Sequence, residues 1–147
     1  MAQRNCWVIL ERKAHDQVRE LQQNLSVEQA QADQLQNTLD RLMGMYAEYQ
    51  AQEQKGGTQQ GLQQRMNQRQ FMAQLMTLKT RVERDLAQKQ ASLAQIRAQL
   101  IKAEAERMKM QALVDQQALT ERQLEAMIEQ KQMDEYAVRR FNTGFGT

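Results

Sequence analysis

The stretch AHDQVRELQQNLSVEQAQADQLQNTLDRL, residues 14–42, decides the fold. Its apolar residues fall alternately four and three apart: Ala14, Val18, Leu21, Leu25, then Ala32, Leu35, Leu39 and Leu42. That is a repeat of 3.5 residues, the seam of a left-handed coiled coil rather than the broader stripe of a globular helix. The frame extends back through Glu11 to Trp7 and forward through Tyr46 to Tyr49. Glu11 and Glu28 interrupt it, and polar seam residues lower stability while helping to fix register.

The pattern stops near Gln50 and gives way to Glu53-Gln54-Lys55-Gly56-Gly57-Thr58-Gln59-Gln60-Gly61. Glycine ends helices and tolerates turn geometry, so Gly56-Gly57 is the best turn in the chain. A connection this short sets two helices side by side and antiparallel. A second seam follows: Met72, Leu75, Lys79, Val82, Leu86, Lys89, Leu93, Ile96, Leu100, Ala103, Arg107, Met110 and Val114. Beyond it Leu119, Leu124, Met127, Ile128, Tyr136 and Val138 keep helical spacing without one strict seam.

The expected fold is therefore all-α: a long antiparallel two-helix coiled-coil hairpin, the second helix longer. It forms one domain, with a helix over 3–53, a turn over 54–61, a helix over 62–141 and a frayed tail over 142–147. At 1.5 Å per residue the helices run about 75 Å and about 120 Å. A turn near residue 57 sets position n opposite roughly 114 minus n, which puts Trp7 near Arg107. Residues past about 112 then lack a partner in the same chain, and their apolar side chains call for another cover.

Composition agrees. The 147 residues include no proline, six glycines, 5% aromatics and 28 glutamines, at a mean hydropathy of -0.82. Such a chain has few turn residues and little material for a large core. It has no run of 18 apolar residues for a membrane span, and its N-terminal apolar run is too short for a signal peptide. One cysteine, Cys6, makes no internal disulfide and suits a reducing compartment. The formal net charge of +2 does not mark a nucleic-acid binder. Residues 61–110 carry ten basic and four acidic side chains, but a single aromatic, Phe71, is too few to stack on successive bases. A solvated face that attracts an acidic protein surface is the plainer reading.

No catalytic or metal-binding constellation is present, and no cofactor is expected. His15 is the only histidine and reads as a surface residue among Lys13, Asp16 and Arg19. No phosphate-binding loop occurs. The chain is not expected to be an enzyme. Beside the turn the apolar surface is wider than a seam needs. Phe71, Leu75, Leu78 and Val82 form one stripe, with Met72 and Met76 beside it; Leu39, Leu42, Met43, Met45, Tyr46 and Tyr49 do the same on the first helix. Two readings stand: a locally thicker core, or a docking patch in which methionines and aromatics meet a partner.

Gln130-Lys131-Gln132-Met133-Asp134-Glu135-Tyr136-Ala137-Val138-Arg139-Arg140 resembles the closing motif of the FliJ family, small coiled-coil components of the bacterial flagellar type III export apparatus. Met45-Tyr46-Ala47-Glu48-Tyr49-Gln50 resembles the Tyr-rich end of that family's first helix, and Gln70-Phe71-Met72-Ala73-Gln74-Leu75 the opening of its second. The pattern departs at Met45, where an aromatic is expected, and at Cys6-Trp7. The resemblance implies a stalk-like, non-enzymatic protein that binds the export ATPase FliI, the export gate FlhA and export substrate chaperones. It implies a cytoplasmic protein, peripheral at the inner face of the cell membrane. By the same resemblance Leu42, Tyr49, Phe71, Leu75 and Leu78 are the gate-binding residues, and Met133, Asp134, Glu135, Tyr136 and Arg139 the ATPase-binding ones. The equivalent stalk protein of a virulence-type (injectisome) system and a generic coiled-coil scaffold are the alternatives.

Overall fold

A computed structural model describes residues 2–55 and 61–145. The chain forms two helices that pack against each other, α1 over Ala2–Lys55 and α2 over Leu62–Phe145. The expected Gly56-Gly57 turn lies outside the described residues. α2 runs through residues 142–145, which the sequence reading assigned to a frayed tail. No proline stops it there, and the Thr143 hydroxyl donates back to the Arg139 carbonyl at 3.0 Å. At the other end the Gly61 carbonyl accepts from the Arg65 N–H at 3.2 Å, so Gly61 serves as the N-cap.

Two compact units share these helices. One comprises Arg19–Ile101; the other joins the segment up to Val18 with that from Lys102. In the first, Ala32, Leu39, Leu42, Leu75, Val82, Leu86 and Leu93 form a buried cluster, with Leu25, Leu35 and Tyr49 packed against it. In the second, Ala14, Val18 and Ala103 are buried. Every position of both heptad series, polar ones included, is buried or half-buried. Gln29 and Arg97 close one flank, the Arg97 Nη2 donating to Gln29 Oε1 at 3.0 Å.

Facing residues revise the register. Lys89 meets Glu28 and Tyr49 meets Phe71, so facing numbers total about 117–120 rather than 114. The connection spans residues 56–61, so its midpoint falls later than 57. Within the Arg19–Ile101 unit the pairing is therefore shifted by about one seam step from the expected one. The covered stretch is also longer than expected. Gln111, Leu113, Val114, Gln117, Ala118 and Glu121 are all half-buried, so the uncovered part of α2 begins at Arg122, not near 112.

Outward faces explain the glutamines. Gln29, Gln36, Gln111 and Gln130 each donate from Nε2 to the Asp four residues on, at 2.9–3.3 Å. Such pairs stabilise a helix by about 0.2–0.5 kcal/mol each. Mid-helix threonines 38, 77, 80 and 120 satisfy their hydroxyls on the carbonyl four residues back. Gly44 is the one outlier inside α1. A Cβ there would meet nothing within 4 Å, and its φ is not positive. Gly44→Ala is therefore expected to stabilise the protein by about 0.5–1 kcal/mol, read as a rise of a few degrees in the circular-dichroism melting temperature.

Candidate functional site

Two surfaces expose apolar side chains beyond the seam. The first lies in the Arg19–Ile101 unit, where the expected gate residues separate into two groups. Leu42 and Leu75 belong to the buried cluster. Both are seam positions, so their side chains are spent on the opposite helix and a partner cannot reach them while the helices stay closed. Tyr49 is half-buried and tilts against Phe71, ring centroids 4.9 Å apart at 57°. Phe71 and Leu78 are 36% and 43% exposed. Met43, Met45 and Met76 are exposed around them. The stripe thus divides: its seam residues belong to the core, and the residues flanking the seam are exposed.

Leu78 also lines an open groove of about 780 Å³ along one face of α2, with Ala73, Thr77, Arg81 and Arg84. Its lining mixes Ala73 and Leu78 with glutamine and threonine side chains, and two guanidinium groups stand at one end. That chemistry suits a segment with an apolar side chain followed by an acidic one. The bases were legible as charge; their joining with Leu78 needed the helical face.

The second surface is the end of α2. From Arg122 to Gly144 every described side chain is exposed. Leu124, Met127, Ile128, Met133, Tyr136, Val138 and Phe141 are each at least half exposed. A helix segment this apolar, with no element laid over it, is the pattern of a surface meant to be covered. The five expected ATPase residues divide between two adjoining faces. Met133 and Tyr136 line one shallow groove with Glu129, Gln132 and Ala137. Asp134, Glu135 and Arg139 line another with Lys131 and Val138. One face offers a thioether and a phenol; the other is a charged strip around a valine. Gln130 braces Asp134 through its side-chain amide at 3.3 Å.

Among the described residues no cluster of His, Cys, Asp or Glu could hold a metal ion, and no helix is long and apolar enough to cross a membrane. Cys6 is exposed. Seam positions hidden by polar residue types were missed by the sequence reading. Gln68, Gln117 and Glu121 keep the heptad frame but carry side chains that hydrophobic spacing does not register.

A closed α1–α2 seam, followed by a stretch of α2 whose large apolar side chains are exposed, defines a helical coiled-coil hairpin with uncovered apolar surface. The family model described as "Flagellar FliJ protein" matches residues 9–144. The chain belongs to the FliJ family, and is thereby a flagellar export-related protein. No curated protein and no solved structure matches the chain.

Proposed function

We infer that this protein binds the export ATPase FliI and the export gate FlhA, promoting assembly of the ATPase ring and coupling it to export. The observation that carries the reading is the end of α2, where Arg122 to Gly144 stand exposed with large apolar side chains. Met133, Asp134, Glu135, Tyr136 and Arg139 are assigned to the ATPase. Phe71 and Leu78, with Tyr49 behind Phe71, are assigned to the gate; Leu42 and Leu75 support that surface from within the seam. Export substrate chaperones are further partners of the same family role. The protein works in the cytoplasm, peripheral at the inner face of the membrane. The family match favours a flagellar system over the injectisome alternative and over a generic scaffold.

The direct test is the ATPase rate of the cognate FliI with and without the purified protein. A raised rate supports the reading; no binding and no effect from a folded protein sinks it. The gate surface has its own test. Phe71→Ala with Leu78→Ala removes two exposed side chains, so the melting temperature is expected to move by no more than a few degrees. Affinity for the FlhA cytoplasmic region with its linker is expected to fall at least tenfold in calorimetric titration. Unchanged affinity would move the gate contact elsewhere.

A further inference from the structure

Within the two thirteen-position heptad series five residues are charged: Glu11 and Glu28 on α1, Lys79, Lys89 and Arg107 on α2. All five are half-buried. Within the Arg19–Ile101 unit, Lys89 Nζ donates to Glu28 Oε2 at 2.8 Å and also to Gln31 Oε1, with the two ionic side chains 30% and 25% exposed. This layer sits inside the apolar cluster: Leu93 lies one seam step from Lys89 and is the most buried residue of the seam. The facing total here is 117.

Counting heptads along both helices from that layer gives alternating totals of 117 and 118. Carried on by the same heptad count, buried Ala14 and Ala103 fall at one level and half-buried Glu11 and Arg107 at the next. Each acid of the α1 seam falls opposite a base of the α2 seam. Lys79 is the exception. It falls opposite Leu39, and its ammonium turns to Glu83 on its own helix at 3.5 Å.

We propose that the Glu28–Lys89 layer, with Glu11 and Arg107 at facing heptad positions, selects antiparallel pairing of α1 with α2 at this register, against slipped registers and against parallel in-register pairing with a second copy. A slip of one heptad shows why. With facing totals raised by seven, Glu28 meets Ile96, Lys89 meets Leu35, Glu11 meets Val114 and Arg107 meets Val18. Four half-buried charges would then face apolar side chains, a strongly unfavourable arrangement. A parallel in-register dimer fares no better, because each seam charge would meet its own copy. That makes two acid–acid and three base–base layers. The apolar seam alone carries none of this information, since every heptad slip sets apolar on apolar. Polar layers are the recognised means by which coiled coils specify register and partner at some expense of stability.

Two sets of full-length variants test this. Glu28→Lys puts two bases in one layer and is expected to lower the melting temperature by about 5–10 °C. Glu28→Lys combined with Lys89→Glu restores opposite charges and is expected to recover most of that loss. A swap that melts as low as the single variant overturns the proposal. The second set replaces Glu11, Glu28, Lys89 and Arg107 together by leucine. This all-apolar seam is expected to melt at or above the wild type, yet its mass by light scattering should rise with concentration, while the wild type is expected to stay at the 17.2 kDa of one chain. A wild type that is itself a dimer, or an all-leucine variant that stays monomeric at every concentration, overturns it.

Discussion

A chain ending at Glu121 is expected to keep its melting temperature and lose its hold on the export ATPase. Glu121 is the last half-buried residue of α2, and every described side chain beyond it is exposed. The truncation therefore removes none of the buried cluster and none of Ala14, Val18 or Ala103. The removed part is helical because it continues a helix already nucleated in the packed region, where each added residue gains a hydrogen bond without a new nucleation cost. It returns little to the rest of the fold. The melting temperature should move by about 2 °C or less, while helical signal falls in proportion to the residues lost. Seven large apolar side chains leave with the segment, together with Asp134, Glu135 and Arg139. Co-elution with FliI should disappear and the stimulated ATPase rate should return to that of FliI alone. A truncated chain that still binds FliI would place the contact on another surface. A large fall in melting temperature would mean that the segment supports the packed helices.

The heptad frame of the helices was legible because a seam is a local property of the sequence. Thirteen positions on each helix were read from spacing, and all are covered, including the charged ones that hydropathy alone rejects. Register was less legible. It depends on where the connection is centred, and Gly56-Gly57 draws the eye to residue 57 although α2 starts only at Leu62. A displacement of three or four residues is one seam step, enough to move every facing pair to the next layer. The extent of cover was hidden for a different reason. Gln117 and Glu121 follow the frame, but polar side chains read as solvent-facing; both are half-buried, and the Gln117 Oε1 is itself covered.

The candidate gate surface was legible as a patch and not as a division. Phe71, Leu75, Leu78 and Val82 make one stripe in sequence, yet the seam takes Leu75 and Val82 and leaves Phe71 and Leu78 outside. Spacing cannot make that division until the opposite helix is in place. Neither surface names its partner. An exposed methionine or tyrosine states that something apolar can be covered, and only the likeness of residues 130–140 to one family's closing motif carries a partner's identity.

That division makes Leu75 the residue whose replacement has the largest structural effect among the expected site residues. Leu75→Ala with Leu93→Ala is expected to unfold much of the Arg19–Ile101 unit near physiological temperature. Leu75 and Leu93 are 7% and 4% exposed, both inside the buried cluster. Truncating a core leucine to alanine costs about 2–5 kcal/mol, and a seam only two helices thick sits toward the low end because water can enter beside the cavity. Together the two changes remove about 4–6 kcal/mol. Whole domains are stable by about 5–15 kcal/mol, and this one has little reserve: no described side chain is fully buried. The expected reading is a melting temperature lower by about 15 °C or more, with loss of helical signal at 37 °C. Phe71→Ala with Leu78→Ala, the same number of apolar truncations on the same helix, should leave the melt nearly unchanged. If the two pairs melt alike, the seam is not where stability resides. If they separate as stated, weakened gate binding in a Leu75 variant reports a lost fold, while in a Phe71 and Leu78 variant it reports a lost contact.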